Sequence, residues 1–273
     1  MGETTSREDV AYRVRRRVLD MGATPNGAHI GGSLSCADIL TVLYRDVLRV
    51  RPDEPEWPDR DRFVLSKGHA SAALYAVLVE FGFLPEEELG TYGAYGSRLA
   101  GHPLRRLPGV EFPTGSLGHG LSLAAGAALA ARRTGGRSRA FALLGDGELQ
   151  EGSIWEAVMF AAHQGLDNLV AIVDRNGLQI TGSTEDCVGL EPLAERWSSF
   201  GWDVVQVDGH DMEALHEHLT GPRTSTGRPM VLLAETIKGR GVPMFENKKK
   251  SHSVQLTERL HKRALFGLGK SRT

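Results

Sequence analysis

The sequence predicts an α/β protein with a doubly wound, mainly parallel sheet. Three observations favour this class. Apolar strand patterns alternate with helical patterns between residues 139 and 236. These strands are apolar throughout, as is typical of strands that helices cover on both faces. The chain has 273 residues and no internal repeat, which fits one compact domain. In this class the binding crevice is expected outside the carboxyl ends of the strands.

The first half predicts four helices, a strand and a long loop. Apolar residues recur at helical spacing over residues 7 to 20 and 36 to 48, and three prolines then indicate a surface loop. "DRFVLSKGHASAALYAVLVEFG" predicts a short strand, a turn at Lys67 to His69 and a helix of small residues. Pro85 and the acids after it suit the start of another helix. Residues 90 to 119 are rich in glycine and proline. This segment is longer than a simple connection between two elements, so we expect a functional loop.

The second half predicts four strands with three helices between them. The strands are "RAFALLG", "NLVAIVD", "DVVQVDG" and "PMVLLAET". The helices are predicted over residues 151 to 165, near 193 to 200, and 212 to 219.

Composition excludes several classes of protein. Cys36 and Cys187 are too few for a disulfide framework, which favours a reducing compartment and hence the cytoplasm. The first residues are charged without an apolar core, and no run approaches the roughly 18 apolar residues of a membrane span. The formal charge is −2, and the arginines near the N-terminus are spread around a predicted helix among acids. Binding to a membrane or to nucleic acid is therefore not expected.

Two neighbouring strands each end in an oxygen-bearing side chain beside a glycine. Asp146 stands between two glycines after the first strand, and Asn176 follows the next strand about thirty positions later. Consecutive strands of a βαβ unit end at the same edge, so both side chains are expected to face one crevice. Their oxygens, with the carbonyl of Leu178, are donors that Mg²⁺ accepts beside phosphate oxygens. The glycines and the N-terminus of the following helix favour a diphosphate. Either motif alone is more often an ordinary turn, but the pair predicts a diphosphate–Mg²⁺ site.

Eight motifs together resemble the N-terminal, diphosphate-binding part of transketolases. In the family's order they are "HIGGSLSCADIL", "DRFVLSKGHASAALY", "AGHP", "PTGSLGHGLS", "GDGELQEG", "DRNGLQITG", "DGHD" and "KGRGVPMFEN". Single-chain transketolases are more than twice as long as this sequence. The resemblance therefore implies that residues 1–273 form one diphosphate-binding domain of a split transketolase, with the pyrimidine-binding and C-terminal domains on a separate chain.

The resemblance implies a reaction and an assembly. Thiamine diphosphate and Mg²⁺ would be the cofactors, and a two-carbon ketol unit would pass from a ketose or ketose phosphate to an aldose acceptor. The family's glutamate that binds the pyrimidine ring belongs to the other domain, so the chain is expected to be active only with its partner subunit, in an α₂β₂ assembly. Most sugar-phosphate contacts also come from that half, so the donor and acceptor remain open.

The resemblance also assigns roles to individual residues. His29 would face substrate oxygens, His69 the diphosphate and the substrate, and His102 the reacting carbonyl, and imidazoles can move protons among such groups. Cofactor contacts are implied for His69, Gly115, Ser116, Leu117, Gly147, Glu148, Asn176 and His252, cation ligands for Asp146, Asn176 and Leu178, and a dimer contact for Glu151.

Three positions depart from the family's pattern. Ile30 stands where many members have proline, and His119 where many have glutamine, so His119 is left without a role. His252 matches only loosely a region that usually reads Trp-His in split transketolases. The remaining histidines are expected to be exposed or internally satisfied. These are His163, His210, His216, His218 and His261.

Other interpretations of the same residues stay open. The α subunit of a thiamine-dependent 2-oxoacid dehydrogenase shares the Gly-Asp-Gly to Asn segment, but "LSKGHAS" and "AGHP" are not expected in it. A split 1-deoxyxylulose-phosphate synthase is a further relative by cofactor, since a shared fold does not fix chemistry. A non-catalytic scaffold could keep the fold, although a scaffold needs no metal pair.

Overall fold

A computed structural model describes residues 5–221 and 227–271 of the chain. Within these residues a single sheet has five strands in the order β1-β2-β3-β5-β4, and every neighbouring pair is parallel. This confirms the predicted α/β class. The strands are β1 Arg62–Leu65, β2 Ala140–Gly145, β3 Leu169–Arg175, β4 Asp203–Asp208 and β5 Met230–Glu235.

The uniform apolarity of the central strands follows from burial on both faces of the sheet. Along β2, Phe141 and Leu143 belong to one hydrophobic core, while Ala142 and Leu144 belong to a second core on the other face. Successive side chains of a strand point to opposite faces, so a strand between two cores needs apolar residues at every position.

Ten α-helices surround the sheet in the described part of the chain. α1 to α4 and α10 pack around the first core, and α5, α6 and α8 contribute to the second. None of the helices in residues 5–221 and 227–271 is both long and apolar enough to cross a membrane. The helices are α1 Arg7–Gly22, α2 Ile30–Ser35, α3 Ala37–Val42, α4 Ser71–Glu80, α5 Gly120–Arg133, α6 Gly152–His163, α7 Thr184–Cys187, α8 Leu193–Ser199, α9 Met212–Thr220 and α10 Glu258–Lys270.

Two predicted helices differ in the structure. The helix predicted over residues 36 to 48 is the short α3, which ends in one π-helical turn over Leu43–Val47. The helix predicted after Pro85 is a 3₁₀ segment, Glu86–Thr91, in which only Leu89 is buried. One buried side chain supports a short turn better than an amphipathic α-helix, because tertiary packing supplies most helix stability.

α5 is a helix that sequence patterning did not predict. It packs against β1 and β2 and begins directly at the end of the long glycine-rich loop. Its buried positions are mainly alanines with one leucine, Leu121. Small residues give no strong apolar stripe, yet they allow the close approach of helix and sheet that this layer requires.

The register of β2 and β3 places the two oxygen-bearing side chains at one edge. Gly145 pairs with Asp174, so Asp146 and Asn176 follow adjacent strands at their carboxyl ends. The backbone N–H of Asp146 donates to the carbonyl oxygen of Asp174 at 3.3 Å, which continues the pairing to the edge. Both side chains therefore follow the strands at the predicted edge of the sheet.

Candidate functional site

A cavity of about 450 Å³ opens at the carboxyl edge of the sheet. Residues from both halves of the chain line it, although they lie far apart in sequence. Ser116 lies outside the lining, exposed between Gly115 and Leu117. The predicted site residues that do line the cavity are His29, His69, His102, Gly115, Leu117, Asp146, Gly147, Glu148, Glu151, Asn176, Leu178 and His252.

Asp146 joins the two strand ends at the base of the cavity. Its Oδ1 accepts a hydrogen bond from the N–H of Gly147 at 2.9 Å, and its Oδ2 accepts one from the N–H of Gly177 at 2.5 Å. Burial, together with the negative charge of Asp174, raises the pKa of the Asp146 carboxyl to about 6. A carboxylate held in this way is a favourable place for a cation, because a positive charge would offset the cost of burial.

Asn176 and Leu178 bring two neutral oxygens to the same cavity. The Oδ1 of Asn176 accepts from the N–H of Leu178 at 3.1 Å, which fixes the amide in the turn after β3. Carboxylate, amide and carbonyl oxygens form a hard donor set that fits Mg²⁺. In the described residues no group of three or more His, Cys, Asp or Glu could hold a metal ion, so a cation here would also need oxygens from a bound ligand such as a diphosphate.

Two lysines that sequence reasoning missed face the cavity. Lys67 is fully buried and donates to the carbonyl of Gly32 at 2.9 Å and to the carboxylate of Asp174. Burial opposes its charge, but the charge of Asp174 outweighs that effect and the pKa of Lys67 is raised. Lys238 donates to the carbonyl of Leu178 at 3.0 Å, and burial, with the charge of Lys67, lowers its pKa to about 8. Both lysines precede a glycine within the motifs "LSKGHAS" and "KGRGVPMFEN". This position is the sequence feature from which they could have been predicted as site residues.

Four histidines form one cluster above these lysines. The ring of His29 lies 5.6 Å from that of His69, 5.9 Å from that of His102 and 5.4 Å from that of His252, and the rings of His69 and His252 lie 5.2 Å apart. Burial lowers the pKa of His29 and takes that of His69 well below its usual value. Burial and the charge of Lys238 lower the pKa of His252 to about 4. Neutral imidazoles can both donate and accept hydrogen bonds.

Glu148 connects two parts of the cavity wall. Its carboxylate oxygens accept from the N–H groups of Gly145 and Gly118, each at 3.0 Å, and from the hydroxyl of Ser66. The side chain therefore ties the loop that contains Gly115 to the Gly-Asp-Gly turn. Glu148 lines the cavity, but three protein donors already use its carboxylate.

The other histidines lie outside the cavity lining. His119 is exposed at the start of α5, and its Nδ1 is 3.2 Å from the carbonyl oxygen of Leu117. His261 bonds to Asp20 at 2.8 Å, and His163 and His218 are exposed.

Comparisons with known proteins show the family to which the chain is similar. The family described as "Transketolase, thiamine diphosphate binding domain" matches residues 6–270. An apulose-4-phosphate transketolase subunit of Phocaeicola vulgatus is 45% identical, over 87% of this chain and 85% of that protein. The 6-deoxy-6-sulfo-D-fructose transketolase subunit SqwG of Clostridium sp. is 41% identical, over 94% of each chain.

Solved transketolases have the same fold. The transketolase of Campylobacter jejuni superposes with a TM-score of 0.89 at 34% identity, over 96% of this chain. That of Pichia stipitis, in a complex with sedoheptulose 7-phosphate, superposes with a TM-score of 0.91 at 31% identity. The chain spans 42% and 40% of these two proteins. The chain therefore belongs to the transketolase family and corresponds to its thiamine diphosphate-binding domain.

Proposed function

We propose that this chain is the N-terminal subunit of a two-component transketolase that uses thiamine diphosphate and Mg²⁺. Together with a C-terminal subunit it would transfer a two-carbon ketol unit from a ketose or ketose phosphate to an aldose acceptor. One observation carries the proposal: hard oxygen donors, two lysines and four histidines from distant parts of the chain line a single cavity.

The base of the cavity suits the diphosphate and its cation. Asp146, Asn176 and the carbonyl of Leu178 would hold Mg²⁺, and the charges of Lys67 and Lys238 would offset the phosphates. Thiamine diphosphate, when bound, supplies an electron sink for breaking the carbon–carbon bond beside a ketose carbonyl.

The wall and mouth of the cavity suit a polyhydroxylated substrate. His29, His69 and His102 would bind sugar oxygens and move protons among them, as imidazoles can. His252 would contact the cofactor beside His69, and Gly115, Ser116 and Leu117 would contact its rings. These roles rest on the resemblance and on the shared cavity.

The partner would be a separate chain that forms the C-terminal subunit. Two relatives named as subunits match over most of their own length, whereas this chain spans less than half of the solved transketolases. Glu151 is exposed beside the cavity and would contact another subunit in an α₂β₂ assembly. Both cysteines are free, which supports a cytoplasmic location.

The substrate would be a sugar or sugar phosphate. The two subunit relatives are named for different sugars, one a phosphate and the other a sulfonate. A shared fold and cofactor are compatible with several substrates.

The experiment is to assay the purified chain alone and together with its co-encoded partner. Ketol transfer is measured with a panel of ketose and ketose phosphate donors, and binding of thiamine diphosphate with Mg²⁺ is followed by circular dichroism. We expect binding and turnover by the assembled pair only. Robust turnover by the single chain would exclude the two-component part, oxidation of a 2-oxoacid by the pair would indicate a dehydrogenase, and no binding at all would indicate a scaffold.

A further inference from the structure

A buried charge triad lies next to the turn that carries Lys238. Arg15 of α1 meets Asp38 of α3 through two parallel bonds, Nη1 to Oδ1 at 2.8 Å and Nη2 to Oδ2 at 2.6 Å. The Nδ1 of His210, in the loop after β4, lies 2.7 Å from the same Oδ2. The side chains of Arg15, Asp38 and His210 are 9%, 5% and 8% exposed.

The two outer members of the triad bind the two ends of one turn. The Nε2 of His210 accepts a hydrogen bond from the N–H of Ile237 at 2.8 Å, and the Nε of Arg15 donates to the carbonyl of Arg240 at 3.1 Å. The turn closes on itself, since the N–H of Arg240 donates to the carbonyl of Ile237 at 3.0 Å. Because Nε2 accepts a hydrogen bond, the ring proton of a neutral His210 must sit on Nδ1 and point at Asp38.

The turn held in this way carries Lys238 into the cavity. The carbonyl of Lys238 accepts from the N–H of Asn247 at 2.9 Å, and the N–H of Gly239 donates to the carbonyl of Gly31 at 2.9 Å. Gly239 has a φ of +83°, and a Cβ there would lie 2.6 Å from the carbonyl carbon of Phe245. Hydrogen bonds to Asn247 and Gly31 and the close approach to Phe245 therefore hold the backbone at Lys238 and Gly239.

A fixed backbone position matters more for a lysine than for most other residues. The ammonium of Lys238 is a point charge on a flexible four-carbon stem, so its position depends on where the backbone places the stem. It lies 3.0 Å from the carbonyl oxygen of Leu178 and 3.3 Å from the Nδ1 of His252. A shift of the turn would move the charge away from the place where a diphosphate is expected.

We propose that Arg15, Asp38 and His210 are positioning residues that clamp the turn of Lys238 and thereby set the affinity of the cavity for the diphosphate. This inference rests on the proposed function. A gain in folding stability does not explain such a triad well. Apolar residues of similar size can often replace a buried ion pair without loss of stability. The directional bonds to both ends of one turn provide the better reason.

The test is a double-mutant cycle between Lys238 and the clamp formed by Arg15, Asp38 and His210. Thiamine diphosphate binding is measured by calorimetry with excess Mg²⁺, on the chain together with any partner that copurifies with it. The variants are His210→Phe, Lys238→Met and both together, with His210→Gln as the conservative variant that keeps an acceptor for Ile237. His218→Phe is the matched control, since His218 is an exposed histidine of α9.

We expect His210→Phe to weaken binding about tenfold, because it removes the bonds to Asp38 and Ile237 and thereby loosens the turn. His210→Gln should recover most of the affinity, and His218→Phe should match the wild type. In the Lys238→Met background His210→Phe should have no further effect, because the clamp acts through Lys238. The amide of Ile237 should exchange with solvent faster in His210→Phe, a readout that needs no cofactor.

Independent, additive losses in the double variant would overturn the inference, as would wild-type affinity in His210→Phe. Should His210→Phe not fold, Asp38→Asn takes its place in the cycle, because it keeps the shape and removes the charge that holds both neighbours. A wild-type assembly that does not bind thiamine diphosphate would overturn the proposed function and the clamp with it, whereas wild-type binding with an unaffected clamp variant would overturn the clamp alone.

Discussion

The ammonium of Lys67 pairs with the carboxylate of Asp174 in the interior, where the two side chains are 1% and 0% exposed. Asp174 also accepts from the hydroxyl of Ser35 at 2.5 Å and from that of Thr236, and Lys67 also donates to a backbone carbonyl. Every polar group of the pair therefore has a partner. Such a pair is stable as a unit and costly to break, because one partner alone would be a buried, uncompensated charge.

Replacement of Lys67 by methionine should therefore lower the free energy of unfolding by about 3–5 kcal/mol, through the charge left on Asp174. Equilibrium unfolding in urea measures it. The matched control is Lys262→Met, which breaks an exposed pair with Glu258 whose side chains are 74% and 82% exposed. That control should change stability by less than about 1 kcal/mol, and equal effects of the two variants would contradict the prediction.

Two glycines of α5 should respond to alanine in opposite directions. A Cβ at Gly120 would lie 2.6 Å from the Cα of Ser66, whereas a Cβ at Gly126 has nothing within 4 Å. Gly120→Ala should lose about 1–3 kcal/mol through overpacking. Gly126→Ala should gain about 0.5–1 kcal/mol, since alanine is the better helix former. Thermal or urea unfolding measures the change in stability of each variant. A stabilised Gly120→Ala variant would contradict the prediction and show that the helix can move away from β1.

Asp146→Ala should abolish Mg²⁺-dependent binding of thiamine diphosphate to the assembled complex. We expect a loss of more than about a hundredfold, because even residues that only orient a metal ligand commonly contribute ten- to a hundredfold. Calorimetry with and without Mg²⁺ measures it. Asp186→Asn, an exposed acid outside the cavity lining, serves as the control. Unchanged affinity in Asp146→Ala would remove the basis of the metal site.

The stability of the chain should fall as the pH drops below about 6.5, in part because of His252. Its pKa is about 4 in the folded protein and about 6.5 in an unfolded chain. The unfolded state therefore binds more protons between these values, so the contribution of His252 is complete above pH 6.5 and is lost toward pH 4. Urea unfolding at pH 7 and pH 5 measures the loss, which should be smaller in His252→Phe. An identical loss in that variant would mean that His252 does not titrate in this window.

Local patterns predicted the sheet because its central strands are apolar along most of their length and turn signals separate the strands. The same patterns missed α5, whose buried alanines and Gly120 indicate close packing against β1 and β2 and do not form a wide apolar stripe. They also extended α3 too far, since the spacing of apolar residues does not distinguish an α-helix from the π-helical turn Leu43–Val47. The type of most elements could be predicted because the sequence pattern shows which residues are buried. The residue at which each element ends depends on its contacts with neighbouring elements, which the pattern does not show.

Sequence patterns are enough to predict that Asp146 and Asn176 share one edge, because a right-handed βαβ unit places the ends of successive parallel strands side by side. The residues that surround these two side chains depend on the packing of the whole fold. Lys67 meets Asp174 across 107 positions of the chain, and His210 meets Asp38 across 172. Contacts at such separations depend on how whole layers pack, so neither residue carries a local signal of its partner. The charged lining of the cavity and the clamp both result from such long-range packing.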